Sequence, residues 1–581
     1  MLSLVPLLAL SSAGEVAVFD AWANLEGLTP RQQWDRLHAL SALQGLANRD
    51  RPRLYVNLVG EQGRIDRYWW DYLSRDWMKG ATVARSDSFE ELVLRFPGKV
   101  KGLVVWREEV PASSNVASTV AGVEGLLPVR YDPAADSLYS KLKRDLKVRV
   151  EVPEFTGKGM IPGTGIPTTG SAKCDAYLWA AERYLRTGRC NPLKMGYYPD
   201  AFWLKRPNGL PIDRTLLSNH DYFIAHKGFL FDLGSWHDES PDDDPNQKPG
   251  TDAETLQRIL RLAYEKGKGK MIHVGGFTPW DLKYTDFTGM KNGGVATEWR
   301  YAEILSCFNA YMDADAPGLG PMANASFFQH FPLRREYKQP KTEAPSADPR
   351  KFYAAFYVGD YDSAAWLYRM MPELWDDPNR GAVPLSWAFN PNLADRFPVG
   401  MHRARETATP NDVFITGDSG AGYLNPGYLV PPRKWSELPS GLDAWIEHCR
   451  PYYRRWGLEV TGFVIDGNAP EMSDAVRKAY AKLSPGGVIA QKVPEQSEVQ
   501  GVPFMRMGSD LDGGNLERSA AIVLEDARKP GLRVYRTILW SPTQHKNLME
   551  RVRRENPNVE FVTVPALMEM VRSAADNGGT P

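Results

Sequence analysis

From about residue 217 onward the chain alternates short apolar runs of strand length with amphipathic stretches of helical length. The apolar runs fall at 222–232, 270–275, 325–330, 352–358, 384–389, 412–416, 461–465, 487–490, 532–539 and 559–563. Strand–helix alternation sustained this long restricts the fold to a mainly parallel sheet with helices on its outside. So many successive units fit a (β/α) barrel better than an open sheet. Between two of the runs, residues 252–266 place Leu256, Ile259, Leu260 and Ala263 on one face. Thr251 and Glu254 are spaced as a capping box for that helix, and Gly267 stands where it would stop.

The region before 217 is built differently. Thr29-Pro30-Arg31-Gln32 reads as a capped helix start, and 53–59 and 100–106 read as strands. Residues 15–150 are therefore expected to form one or more small α/β domains. No G-x-G-x-x-G accompanies them, so no dinucleotide is assigned, and no cofactor is expected anywhere in the chain. Residues 151–216 read as a small linking domain opened by the Gly/Pro/Thr-rich stretch 152–171. The Gly165–Gly170 spacing imitates a phosphate loop, but Ser171 and Ala172 stand where Lys and Ser/Thr are needed. The overall expectation is α/β: small N-terminal α/β domains, then a C-terminal barrel-like domain over 217–570.

Composition narrows the partners. Lys+Arg 70 against Asp+Glu 71 gives a net charge of −1, without the basic footprint of a nucleic-acid binder. No apolar run reaches 18 residues, so no membrane span is expected. The apolar run Leu2–Leu10 followed by Ser11-Ser12-Ala13 reads as the remnant of a secretory signal, with a buried first strand as the alternative. The expected location is thus secreted or periplasmic. In such a compartment Cys174 and Cys190 are close enough in sequence to bridge, although free buried thiols fit equally well. The acidic loop 238–244 lacks the alternating ligand spacing of a calcium loop and reads as a solvated turn.

The chemistry concentrates where strands end. In a barrel, side chains just past each strand's C-terminal end face one pocket. Strand 352–358 runs into Gly359-Asp360-Tyr361-Asp362, strand 412–416 into Gly417-Asp418-Ser419-Gly420, and strand 461–465 into Asp466-Gly467-Asn468. Each Asp alone is also a common turn or cap residue. Together, Asp360, Asp362, Asp418 and Asp466 are the catalytic candidates. A pair of carboxylates, one protonated and one ionised, suits glycosidic bond cleavage. By the same strand-end reasoning Trp387, Asn390 and His330 are candidate substrate contacts, with Trp280, Glu298, Tyr423 and Asn425 on neighbouring loops.

Gly420-Ala421-Gly422-Tyr423-Leu424-Asn425-Pro426 resembles the G-x-G-Y-x-Y-P signature of the GxGYxYP family, whose members carry an inferred glycoside hydrolase label. Asn425 replaces the second Tyr, which removes a ring that could stack on a sugar. Leu43–Arg49, Gly170–Trp179, Gly294–Trp299 and Gly359–Asp362 are also similar to that family. The resemblance implies exported bacterial proteins with small N-terminal domains before a large C-terminal one. It also implies a poly- or oligosaccharide substrate, and it supplies no catalytic pair.

Two other functions remain open on the residues. A metal-dependent carbohydrate deacetylase would use an early Asp pair, but the nine His include no His-x-x-x-His, so no metal ligands are assigned. A non-catalytic glycan-binding protein would use the same scaffold.

Overall fold

The computed structural model describes residues 14–58, 64–201, 217–278, 283–315, 322–340 and 346–576. The chain divides into two compact units that interleave in sequence. Unit 1 holds Met1–Leu256, Pro279–Met290 and Ala316–Pro332, and unit 2 holds Gln257–Thr278, Lys291–Asp315 and Leu333–Pro581. Residues 217–256 thus fall in unit 1. No helix among the described residues is long and apolar enough to cross a membrane.

Unit 1 contains two three-stranded parallel sheets and a strand pair. In the first sheet β1 (Val16–Asp20) lies between β2 (Leu54–Asn57) and β3 (Val83–Ala84). In the second, β4 (Leu103–Trp106) lies between β5 (Leu127–Arg130) and β6 (Val148–Glu151). β7 (Lys194–Tyr197) pairs in parallel with β8 (Phe229–Phe231). The expected capping box forms: Thr29 and Gln32 satisfy each other's backbone N–H at the head of helix Pro30–Asn48.

The family-like stretch Leu43–Arg49 closes that helix by saturating backbone groups. Asn48 donates to Leu54 O at 2.9 Å, and Arg49 reaches the carbonyls of Gly122, Ile224 and Ala225. In the stretch Gly170–Trp179, Ser171 caps helix Ala172–Ala180, and Lys173 is buried between Asp243 and Asp252 at 3.0 and 2.6 Å. The acidic loop therefore is not simply a solvated turn. The Asp243 side chain is only 3% exposed and also binds Lys283 at 2.9 Å, because two buried ammonium groups need counter-charges.

Several local expectations give way to tertiary contacts. The run 325–330 is a short helix, Ala325–Phe328, not a strand. Asn324 turns the chain at φ 74°, and its side chain pairs with both backbone groups of Val56 at 2.7 and 2.8 Å. The run 222–232 splits into helix His220–Ala225 and β8. Thr251 lies inside its helix, donating to Lys248 O, so it does not make the expected capping box. All four cysteines are free and buried, so Cys174 and Cys190 are not bridged.

Unit 2 is dominated by a curled, mostly parallel sheet. Besides the pair β9 (Ile272–Gly276) and β10 (Ala310–Met312), its strands are β11 (Phe352–Tyr361), β12 (Leu385–Phe389), β13 (Asp412–Asp418), β14 (Val460–Val464), β15 (Gly487–Ala490), β16 (Gln496–Val499), β17 (Val502–Arg506), β18 (Gly531–Ile538) and β19 (Val559–Val562). The order is β16-β17-β15-β14-β13-β12-β11-β18, with β19 also on β11 and only β16–β17 antiparallel. The segment after β17 meets β18 through Gly508 N to Val534 O (2.9 Å) and Leu511 N to Arg536 O (2.9 Å).

The inner face follows the two-residue strand period. Tyr353, Ala355 and Tyr357 of β11 share one core with Ile415, Ile489, Met505 and Val534, and helix Val564–Asp576 adds Leu567, Met568 and Val571. A core filled this way leaves the C-terminal strand ends as the place where polar side chains can gather.

Candidate functional site

The site begins at the tip of β11. Strand alternation would send Asp360 to the face carrying Phe356 and Val358. Instead, Asp360 adopts a left-handed φ of 68°, at an irregularity in the β11–β12 register between Val358 and Tyr361. Bulges and left-handed non-glycine residues cost energy and cluster at functional sites. The turn lets the Asp360 carboxylate meet Arg536, which follows core residue Val534 by two on β18, at 2.9 Å. The other arm of Arg536 binds Asp510 at 2.9 Å, and the guanidinium lies 5.7 Å from the Phe463 ring centroid.

Asp418 closes β13 and is only 5% exposed. The Tyr357 hydroxyl rises from the core and donates to its Oδ1 at 3.3 Å. Asp362 and Asp418 bear directly on each other: their interaction raises the Asp362 carboxyl and lowers that of Asp418. Burial, then the charges of Asp418, Asp360 and Glu298, hold the Asp362 carboxyl well above the ordinary range. Asp418 is pushed up to about 6 by burial and by Asp360, against the opposing effect of Arg536 and its two hydrogen-bond donors.

Glu298 comes from helix Gly294–Ser306, close to its N-terminal end. Burial raises it to about 7, with Asp418 and Asp360 adding to the rise and Tyr423 and Arg536 opposing it. Tyr423 is 2% exposed. Its hydroxyl makes no hydrogen bond of good geometry; the Glu298 carboxyl is the acceptor beside it, and Asp418 and Asp362 also bear on it.

The loop Gly417–Pro426 is pinned on several sides. Gly417 allows a close approach: a Cβ there would stand 1.9 Å from Asn390 Oδ1. Gly422, at φ 128°, lies against the Tyr311 ring, which a Cβ would strike at 2.1 Å. Ser419 supplies a left-handed turn at φ 57°, and its hydroxyl donates to Leu424 O at 2.6 Å. Tyr423 exchanges backbone hydrogen bonds with Met312 of β10 at 3.0 and 2.9 Å. The loop is a rigid mount that presents Asp418 and Tyr423.

Other expected residues have different surroundings. Asp466 is buried, accepts from Lys492 N at 2.9 Å, and is raised to about 6 chiefly by burial. Asn425 donates to Ile465 O at 2.9 Å and so ties the loop to the end of β14. Trp387 is a core residue whose indole N–H donates to Asp412 at 2.9 Å. Asn390 is fully buried with neither amide atom partnered, and its backbone N binds Tyr361 O at 3.0 Å beside the β11 tip. His330 belongs to unit 1, where it meets Asn48 O at 2.6 Å; it does not end a strand. Trp280 lies outside the described residues.

Arg536 and Tyr357 were not among the residues expected from sequence. The available signal was a charged side chain inside an apolar strand in one case and inward parity on β11 in the other. A second buried network supports the β11 tip. Asp315 accepts from Ser363 Oγ (2.8 Å) and Ala365 N (3.0 Å) and pairs with Arg396, which also pairs with Asp313 at 2.9 Å. Asp313 in turn engages His273 and is held well below the usual carboxylate range, its burial outweighed by Arg396 and His273. Among the described residues, no group of three or more His, Cys, Asp or Glu side chains is arranged to hold a metal ion.

Residues 350–572 match the family model described as GxGYxYP putative glycoside hydrolase C-terminal domain. The chain is similar in fold to a crystal structure described as a putative hydrolase from Bacteroides thetaiotaomicron VPI-5482, at TM-score 0.68 and 18% identity, covering 96% of this chain and 95% of that one. At that identity the likeness speaks for the fold. A structure described as T48 deacetylase with substrate covers 39% of this chain at 14% identity and TM-score 0.24, too low to carry an argument. No match is found among curated proteins.

Proposed function

We propose that unit 2 is a carbohydrate hydrolase in which Glu298 acts as general acid and ionised Asp418 as nucleophile or water base. The observation that carries this reading is the separation of roles among clustered carboxyls. Burial raises both carboxyls; the Tyr357 hydroxyl donates to Asp418 at 3.3 Å and Arg536 opposes its rise, so Asp418 is the one steadied as an anion and Glu298 the one left to hold the proton. A glycosidase needs that combination on two groups with a sugar between them. Asp362 and Asp418 interact within hydrogen-bond reach, which is too close for the two to flank a glycosidic bond. Asp362 instead orients Asp418, much as a second carboxyl steadies an ionised partner. Glu298 and Asp418 bear on each other through charge, and they come from a helix and a strand remote in sequence.

In the proposed reaction the Glu298 proton passes to the glycosidic oxygen as the C–O bond breaks. Asp418 then supplies electron density to the anomeric carbon, directly or by taking a proton from attacking water. Arg536 restrains Asp360 and steadies the negative charge on Asp418. A closed (β/α) barrel is part of the proposal, supported by the hydrogen bonds between residues 508–511 and β18. So is an exported location, which rests on the N-terminal apolar run and on where polysaccharide fragments are met.

The test is hydrolysis of a neutral oligosaccharide panel by the full chain and by Glu298→Gln and Asp418→Asn. Each variant should lose at least about 100-fold in kcat/KM, the lower end for a lost general acid or base. Unchanged rates in both sink the assignment. Glycan binding without turnover in the parent protein would make it a binding protein.

A further inference from the structure

We propose, resting on the glycan reading above, that the sugar seated at Asp418 and Glu298 carries no negative charge, and that Arg536 is a specificity-determining residue kept from recognising anions by Asp360 and Asp510. Uronates and sulfated sugars are read elsewhere in nature by a guanidinium offering its planar fork to the anion. Here Nη1 and Nη2 are both committed and only Nε lacks a partner, which leaves one N–H where a bidentate anion contact needs two. Nη2 is 2.9 Å from Asp360 and Nη1 is 2.9 Å from Asp510. Arg536 is also the cation that bears on Glu298, Asp360 and Asp418. A carboxylate or sulfate on the sugar would add one more negative charge to four clustered carboxyls without gaining a free cation.

Two neutral polar groups near the carboxyls suit hydroxyl groups instead. Tyr423 is 2% exposed and its hydroxyl makes no well-formed hydrogen bond, although it faces the cluster. Asn390 is fully buried at the end of β12, between the β11 tip and Gly417, with its amide O and N both unpartnered. A neutral amide offers a donor and an acceptor, which matches a sugar hydroxyl and gives nothing special to an anion. Buried polar groups without partners are costly, so they mark places where a ligand completes the set.

The experiment uses the full chain and matched pairs of probes: oligosaccharides of glucose, mannose and galactose, and the same chains oxidised at C6 to uronates. Binding by calorimetry and hydrolysis by reducing-end release are measured at low salt. At least one neutral chain should bind tenfold or more tightly than its uronate twin. A uronate that binds equally well or better overturns the inference, as does a panel in which no neutral chain binds. A neutral chain bound but uncleaved refutes the hydrolase reading and supports the charge rule. A uronate bound and cleaved does the reverse. Asp510→Ala removes the acceptor from one arm of Arg536 at a carboxylate whose side chain is 58% exposed. It should narrow the neutral-to-uronate ratio by about threefold or more, a ratio in which any loss common to both probes cancels. An unchanged ratio overturns the role given to Arg536.

Discussion

Glu298→Gln should stabilise the protein at alkaline pH and do little in acid. The wild-type carboxyl is raised from 4.5 to about 7 in the folded state. A raised carboxyl binds its proton more tightly folded than unfolded, so its favourable contribution is present below the unfolded value. That contribution is lost as pH rises through the window from 4.5 to about 7. Above the window the charge must be kept in a buried, acidic place. A rise from 4.5 to about 7 corresponds to about 3 kcal/mol, taken down to about 2–3 kcal/mol because Glu298 is only partly buried. Gln keeps an acceptor for Tyr423 and carries no charge, so that cost disappears. At pH 8 the variant should unfold about 5 °C higher, at the low end of roughly 2–4 °C per kcal/mol for a domain of this size. At pH 5 the gain should fall below about 1 kcal/mol. Thermal unfolding by circular dichroism at both pH values is the assay. Equal shifts at the two pH values, or a loss at pH 8, would refute the burial argument. A stability gain bought with lost activity is the usual signature of a functional carboxylate.

Further outcomes follow from the same geometry. The kcat/KM profile should be a narrow bell with limbs near the Asp418 value of about 6 and the Glu298 value of about 7; a profile flat from pH 5 to 8 excludes both roles. Tyr423→Phe should move the alkaline limb upward, because Tyr423 holds the Glu298 pKa down; a downward shift would contradict the pairing. Gly417→Ala should cost about 1–3 kcal/mol by chemical denaturation, since its Cβ would meet Asn390 Oδ1 at 1.9 Å and Ala388 O at 2.9 Å. Arg396→Met should cost about 3–5 kcal/mol at pH 8 by leaving Asp313 and Asp315 uncompensated, and less at pH 5, where protonation can relieve them. Equal losses at both pH values would argue against a charge effect.

Part of this site was legible in the chain. Gly359-Asp360-Tyr361-Asp362 and Gly417-Asp418 could be placed at strand ends because an apolar run followed by Gly and Asp marks where a parallel strand stops. Tyr423 was found through the glycine motif. Asp466 carries the same strand-end signature and accepts from Lys492 N, while Asn425 ties the glycine loop to the end of β14. The run 325–330 is apolar enough for a strand, while the Asn324–Val56 pairing makes it a helix, so His330 does not stand at a strand end.

The sequence by itself determined the α/β alternation, the capped helix at Thr29 and the strand-end carboxylates, because these rest on periods and turns a few residues long. Only the tertiary structure decided which carboxylates meet. The left-handed turn at Asp360 breaks strand parity, Arg536 arrives from 176 residues away, and Glu298 enters from a separate helix. Mutual repulsion and burial then set their proton affinities. Those energies depend on distances between residues remote in sequence, which no local pattern contains.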